Sequence, residues 1–484
     1  MTVAAMDSIP ESGESAENAS PADSAIASTS GSPNGPSSSM PGASSKPSSP
    51  KPQRGFRAMA QTLVSKFAIQ AINAGTGIIT ARALMPAGRG QLAAMILWTS
   101  ILASFTSFGV PTSLIYFFRR HHEDRDRIVA TGLIMSLVTG MLATLLGVLF
   151  IPHWMGQYPP GTIRAAQWFM IVTPITAVTL AGKSILEAAG SFSSSNILQL
   201  STPLFTAVPL VALLLVHHLN PYTAAASYIF AALPSFFYLV YRLRPYVHHL
   251  RADMHTGKLL LSYGVRSYGI DLLGALAFQV DQVLVVKMLS PKEMGSYVVV
   301  LSLSRMLNTV YGSVTMVLFP KASGLSTEAV VALTERCARV ATIVSAAAAI
   351  FVYIFGPFFL NLLYGREYGS ALSSLRILLV EVTLAGTASV LAQAFMALGR
   401  PGIVTTLQAV GLSFSIPMMI VLIPRWGIKG AATALLVSTL ARLIFVMAGF
   451  PIFLKTRMPN LLPHAEDFEL LWNRMPFGKK LKPA

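Results

Sequence analysis

Apolar residues run along this chain in blocks of 20–30, separated by short polar joints, from residue 61 to residue 454. Blocks so long and so poor in charge read as helices that are apolar on every side. Twelve are delimited: 61–83, 91–118, 128–152, 165–187, 196–217, 222–241, 260–289, 293–319, 338–363, 370–397, 402–424 and 427–454. About 20 helical residues cross ~30 Å of hydrocarbon, so each block predicts one membrane span. The stretch Ala188–Tyr241 holds 54 residues without one Asp, Glu, Lys or Arg, which is room for two. The joints carry breakers: Pro159-Pro160, Asn220-Pro221, Ser290-Pro291 and Arg400-Pro401.

Composition excludes a soluble fold. Of 484 residues, 53% are hydrophobic and only 12% charged, about half the usual charged share. Residues 1–50 differ, with 15 Ser, 7 Pro and 4 Gly. Segment 1–55 therefore reads as a disordered tail, and its early acids and missing apolar core exclude a cleavable signal. The net charge of +16 is dispersed between apolar runs, which argues against nucleic acid as a partner. Counting junctions alternately, 23 basic residues fall on the side of both termini and 7 on the other. That bias predicts cytoplasmic termini, with Trp154, Tyr158, Tyr364, Tyr368 and Trp426 at the outer ends. Cys337 is the sole cysteine. Neither a metal cluster nor a cofactor is expected, and no phosphate-binding P-loop occurs.

An internal repeat divides the chain. Arg82-Ala83-Leu84-Met85-Pro86 followed by Gly90 has the form R-x-L-x-P-x-x-x-G. Lys287-Met288-Leu289-Ser290-Pro291 followed by Gly295 repeats it 205 residues later. Gly190 and Gln199 match Gly399 and Gln408 at an offset of 209. Six spans separate the copies, so both halves run the same way, as in transporters with parallel repeats. The expected architecture is all-α, with twelve transmembrane helices in two six-helix bundles around a central cavity. The bundles are set at residues 56–242 and 259–455, with a linker at 243–258 and a basic tail at 456–484. Within that tail, Phe468-Glu469-Leu470-Leu471-Trp472 and the lysines that follow suit the anionic inner leaflet as well as they suit a frayed end.

Several segments resemble a known family. They are Thr76 through Gly90 to Trp98, and Asp281-Gln282 with Lys287, Pro291 and Gly295-Ser296-Tyr297. Pro320, Tyr364-Gly365-Arg366-Glu367-Tyr368, Leu398-Gly399-Arg400-Pro401 and Gly427-Ile428-Lys429-Gly430-Ala431-Ala432 extend the likeness over roughly residues 56–455. The chain is similar to the polysaccharide-biosynthesis flippases of the multidrug/oligosaccharidyl-lipid/polysaccharide exporter superfamily. The resemblance implies a non-enzymatic exporter in the bacterial inner membrane, serving O-antigen, lipopolysaccharide or exopolysaccharide synthesis. Its cargo would be an undecaprenyl-diphosphate-linked oligosaccharide turned from inner to outer leaflet. Membrane lipid is a further partner, with a polysaccharide polymerase and glycosyltransferases as candidates. Two alternatives stand beside it. A drug/cation antiporter of the same superfamily typically carries buried acids in its first half, whereas spans one to six of this chain hold no acid but Glu187, at the cytoplasmic edge. A membrane-embedded glycosyltransferase or polymerase usually needs a large outer loop, which is absent. Asp124-Arg125-Asp126 reads as a solvated charge cluster.

Charge in hydrocarbon costs at least ~2.5–3.5 kcal/mol per residue at a span's centre, so intramembrane ions mark candidate sites. Arg305, Arg442 and Glu381 lie mid-span in the second half. They read either as a cationic cavity wall for the diphosphate or as a structural Glu381–Arg pair. Arg82 and Lys287 are repeat-equivalent and close to the outer boundary, where snorkelling to headgroups competes with a cargo role. Lys66, Arg266 and Asp271 lie toward the inner ends of spans one and seven. Asp281, six residues from Lys287, is expected to face another helix or the cavity.

Overall fold

The computed structural model describes residues 52–247, 252–462 and 464. The Ser/Pro-rich tail, Phe468–Trp472 and the final lysines lie outside the described residues. Within them all regular structure is helical: α1 (Pro52–Phe105), α2 (Val110–Arg120), α3 (Arg125–Trp154), α4 (Pro160–Phe169), α5 (Thr173–Ala188), α6 (Phe192–Leu215) and α7 (Pro221–Leu243). The second half of the sequence gives α8 (Met254–Met288), α9 (Pro291–Arg305), α10 (Asn308–Ala322), α11 (Thr327–Phe359), α12 (Leu372–Ala397), α13 (Pro401–Trp426) and α14 (Ile428–Gly449).

Eight helical segments are long and apolar enough to cross a membrane alone, and two bent pairs raise the number to ten. The expected twelve is thus not met exactly, for two local reasons. The first two expected spans are two helical rods that abut without a loop at the non-helical Met85 (φ 59°, ψ 173°), ahead of Pro86, and so count together as α1. The eighth is broken into α9 and α10, each of 15 residues, immediately after Arg305. The breakers act where the sequence places them. Asn220 and Ser290 each close a capping box with Thr223 and Glu293, and each is followed by a proline in the first turn. That position needs no N–H donor. Flanks rich in exposed apolar residues, such as Leu145, Leu149 and Phe150 on α3 or Ile350, Ile354 and Phe358 on α11, present the chain's lipid-facing surface.

The repeat motif explains how the two sequence halves meet. A Cβ added to Gly90 would stand 1.8 Å from the carbonyl oxygen of Pro291, and one added to Gly295 would stand 1.8 Å from that of Pro86. The contact is reciprocal, so the second rod of α1 (residues 86–105) and α9 cross backbone to backbone. Only glycine allows such an approach, and Cα–H···O contacts of this kind are favourable at helix crossings. Around the crossing, Leu92, Met95 and Trp98 share one apolar core with Tyr297, Val300 and Leu375. Two more ties hold this end. Arg82 donates to the carbonyls of Leu362 and Leu363, and the Tyr368 hydroxyl donates to the Ala81 carbonyl at 2.9 Å. The charge bias of the sequence predicts that this end faces outward.

Candidate functional site

Below the crossing, the first rod of α1 (residues 52–84) and α10 stand apart. Cβ atoms added to Gly77 or Gly312 would meet nothing within 4 Å. The gap is part of a cavity of about 570 Å³ between α1 and α6 on one side and α8, α9 and α10 on the other. Its wall carries Lys66, Gln70, Asn73, Arg89, Gln282 and Arg305. Among the described lining residues there are three cations and no carboxylate.

Arg305 is positioned by the break between α9 and α10. Its Nη2 donates to Asp281 Oδ2 at 3.1 Å, and its guanidinium lies 4.3 Å from the centroid of the Phe278 ring. Asp281 is fully buried and also accepts from the Tyr297 hydroxyl at 2.8 Å. A buried carboxylate flanked in this way fixes the arginine's direction. The Arg305 side chain keeps 19% of its surface exposed toward the cavity. The Glu381–Arg305 pair that the sequence left open is therefore not the one formed; Asp281 takes that place.

A second cavity, of about 410 Å³, lies among α8, α10, α12, α13 and α14. Phe278, Arg305, Asn308 and Gly312 line both chambers. Glu381 and Arg442 belong to the second chamber and not to the first. Glu381 Oε1 accepts from the Thr439 hydroxyl at 2.8 Å. Arg442 reaches the Ala385 carbonyl at 3.5 Å, while its buried Nε has no hydrogen-bond partner. Among the described residues no ion pair links Glu381 to Arg442, so the other structural pairing is also unformed.

The remaining sequence candidates scatter. Lys66 is exposed on the wall of the first cavity. Arg266 is exposed on α8 and lines neither chamber, and the Asp271 side chain lies outside the described residues. Arg82 is engaged with the carbonyl end of α11, as above. Lys287 lies with its Nζ 4.5 Å from the centroid of Trp154.

Arg89 was missed as a candidate. Its buried Nε has no hydrogen-bond partner, and its side chain lines the upper cavity beside Tyr364. The sequence boundary of span two at residue 91 left it in a loop, whereas the second rod begins at Pro86 and holds Arg89 inside the helix. The signal available was Gly88-Arg89-Gly90, a charge between two glycines within the repeat. Gln199 and Gln408, matched in the repeat, line the first and second chamber respectively.

Two tyrosine and carboxyl groups outside the spans are shifted by their surroundings. Burial, with the Glu293 charge close by, pushes the Tyr158 hydroxyl above the usual phenol range. Hydrogen bonds from the Thr256 hydroxyl and backbone N–H hold the Asp253 carboxyl below its usual range at the start of α8.

The family model described as polysaccharide biosynthesis protein matches residues 79–373. No curated protein matches the chain. In fold the protein is similar to the lipid II flippase MurJ in an inward closed conformation, with 11% identity and TM-score 0.68 over 88% of this chain and 94% of that one. It is also similar to an inward-facing multidrug resistance MATE family transporter of the MOP superfamily, with 15% identity and TM-score 0.65 over 81% of this chain and 99% of that one. A third likeness is to a MOP superfamily transporter from Pyrococcus furiosus, for which reverse polarity of the binding pocket is described as suggesting a different function. There the identity is 15% and the TM-score 0.59, over 83% of this chain and 95% of that one. At these identities the likeness is one of fold.

Proposed function

Since the chain belongs to the polysaccharide biosynthesis protein family, we propose that it is a flippase for a polyprenyl-diphosphate-linked oligosaccharide. The observation that carries this reading is the carboxylate-free wall of the first cavity, with Lys66, Arg305 and Arg89. Arginine matches phosphate geometry bidentately. Arg89 and Arg305 both line the cavity, and Arg305 keeps part of its side chain exposed there beside its pair with Asp281. A diphosphate entering between the first rod of α1 and α10 meets Lys66 first, Arg305 next and Arg89 last, with its prenyl tail remaining in lipid at the open seam.

Transport then follows by alternating access. The two bundles, residues 56–242 and 259–455, rock so that the Gly90–Gly295 crossing opens for release while the seam below closes. Asp281 keeps Arg305 aimed at the cavity when cargo is absent. With both termini in the cytoplasm of a bacterium, the cavity faces inward, and an inside-negative potential favours outward passage of the diphosphate. Each charge gains about 2.3 kcal/mol per 100 mV, so two gain about 4.6 kcal/mol. The drug/cation antiporter is the weaker reading, because a cavity lined by cations repels cationic drugs.

The test is leaflet exposure of an undecaprenyl-diphosphate-linked oligosaccharide in proteoliposomes. Protein-dependent exposure that rises with an imposed potential is expected. Absence of exposure in vesicles that hold folded protein and pump out ethidium would sink the proposal in favour of the antiporter.

A further inference from the structure

A recess of about 540 Å³ lies between α3 and α8, with the second rod of α1 and Ile416 of α13 completing its wall. The side chains that line it from α3 and α8 form stripes. On α3 they are Leu142, Leu146, Phe150 and Trp154, each four residues after the last. On α8 they include Leu276, Val280 and Val283, spaced by four and three, so each stripe keeps to one helix face. Lys287, four residues past Val283, continues the α8 stripe beyond the recess, and its Nζ stands 4.5 Å from the centroid of Trp154. The two stripes therefore end together, under one cation. From Leu276 to Lys287 the helix rises ~16 Å, about one leaflet of a ~30 Å hydrocarbon core.

The wall offers little to water. Apart from two indoles, the polar side chains among the described lining residues are Thr106 and Gln279. Thr106 donates to the Leu102 carbonyl at 2.9 Å, and Gln279 Oε1 accepts from the Ser100 hydroxyl at 2.9 Å. A buried water needs about two to four polar partners, so the space suits an apolar occupant. Phe105, Leu142 and Phe150 in the wall are exposed, which opens the recess to the bilayer and its acyl chains.

The repeat shows what is unusual about Lys287. Its equivalent, Arg82, spends its donors on the carbonyls of Leu362 and Leu363. Lys287 is exposed and, among the described residues, forms neither hydrogen bond nor ion pair. The acids closest to it along the chain are committed elsewhere, Asp281 to Arg305 and Tyr297, and Glu293 to the Ser290 cap. An ammonium held over an apolar groove matches an anionic headgroup joined to an acyl chain. A zwitterionic headgroup would set its own cation beside Lys287 with no acid to receive it.

We infer that the groove between α3 and α8 holds an anionic phospholipid, its phosphate on Lys287 and one acyl chain running between the two stripes toward Ile416. The site is separate from the cationic cavity and does not depend on what that cavity carries. Its walls come from both halves of the sequence, α1 and α3 from the first and α8 and α13 from the second. A bound chain thus touches both halves and stabilises the arrangement that forms the groove.

The test reads tryptophan fluorescence of the full chain in phosphatidylcholine nanodiscs. Trp98 and Trp154, with ring centroids 6.0 Å apart, both line the groove. Trp168→Phe, Trp426→Phe and Trp472→Phe leave them as the only tryptophan reporters. Phosphatidylglycerol or phosphatidylcholine with brominated acyl chains is then added as a minor component. Quenching by the anionic probe is expected at about fivefold lower mole fraction, the size expected of one lysine facing an anionic lipid. Lys287→Gln, at an exposed position, is expected to bring the two probes to within about twofold of each other, and Lys287→Arg to keep the preference. Equal quenching by the two probes with Lys287 in place, quenching by neither, or a preference that survives Lys287→Gln overturns the site. Relief of quenching by undecaprenyl diphosphate at a lower mole fraction than by unlabelled phosphatidylglycerol assigns the groove to a carrier lipid and overturns it too. Transport is read in none of these arms, so the cargo reading stands or falls separately.

Discussion

Along the seam between the second rod of α1 and α8, the two sequence halves are closed on each other. A Cβ on Gly109 would stand 2.3 Å from the Gly264 carbonyl oxygen, and the Tyr268 hydroxyl donates to the Ser104 carbonyl at 2.9 Å. The recess above is almost wholly apolar, with Trp98, Phe105, Phe150, Trp154, Val280 and Leu284 in its wall. Along the repeat-related seam between the first rod of α1 and α10, the backbones are apart at Gly77 and Gly312. The side chains there are polar: Lys66, Gln70, Asn73, Ser302 and Thr309. The internal repeat makes the two seams equivalent in topology, and the side chains make them unequal. One is packed closed and apolar, as the hinge of the proposed mechanism; the other is open and polar, as its proposed entrance for a charged headgroup. A symmetric scaffold thus carries an asymmetric path.

The strongest way to break this comparison is to add bulk at the glycines. Gly90→Val and Gly295→Val each drive a side chain into a backbone carbonyl at a crossing that joins both halves. Each is expected to lower stability by more than about 4 kcal/mol, read as loss of monodisperse protein. Gly312→Val, in open space, should leave yield and Tm unchanged. Equal tolerance at all three positions would erase the distinction.

Next in size are the variants of the buried pair. Arg305→Ala alone leaves Asp281 buried without its cation and is expected to cost about 3–5 kcal/mol. Arg305→Ala combined with Asp281→Asn removes both charges and keeps the Tyr297 hydrogen bond, so it should restore Tm to within a few degrees while transport stays lost. Full transport by the double variant would take Arg305 out of the cargo path.

The smallest effect sharpens the contrast at the hinge side, where α8 begins. Hydrogen bonds depress the Asp253 carboxyl, so its capping contribution is present above its unfolded value, about 3.9, and is lost as pH falls through the lower folded value. Protection of the amides in the first turn of α8, taken as the intrinsic exchange rate at each pH over the observed rate, should fall below about pH 4 and stay flat above it. Asp253→Ala should show the low protection at both. Because the group is exposed, only this local signal is expected.

Much of the fold was legible because membrane helices announce themselves by length and apolarity. The glycines of the crossing between the halves were legible only as a repeated proline–glycine motif; that the two copies meet was not. Arg305, Asp281 and Glu381 were visible as charges out of place. Their partners were not. Asp281 and Arg305 meet only because span eight breaks after Arg305, and nothing in the local sequence fixes the angle of that break. Arg89 hid behind a boundary set five helical residues too late. The division into two chambers was also invisible, since Arg442 and Arg305 look alike as buried arginines until the packing of α12, α13 and α14 encloses one of them.

The central claim is that cargo passes through the polar seam, and one measurement addresses it directly. In a chain with Cys337 replaced by Ser, Gly77→Cys and Gly312→Cys would be bridged by bifunctional maleimides and leaflet exposure of the lipid-linked oligosaccharide followed in proteoliposomes. The account predicts that the bridged protein exposes no cargo while each singly modified variant retains exposure. Undiminished exposure by fully bridged protein would contradict it and turn attention to the apolar seam.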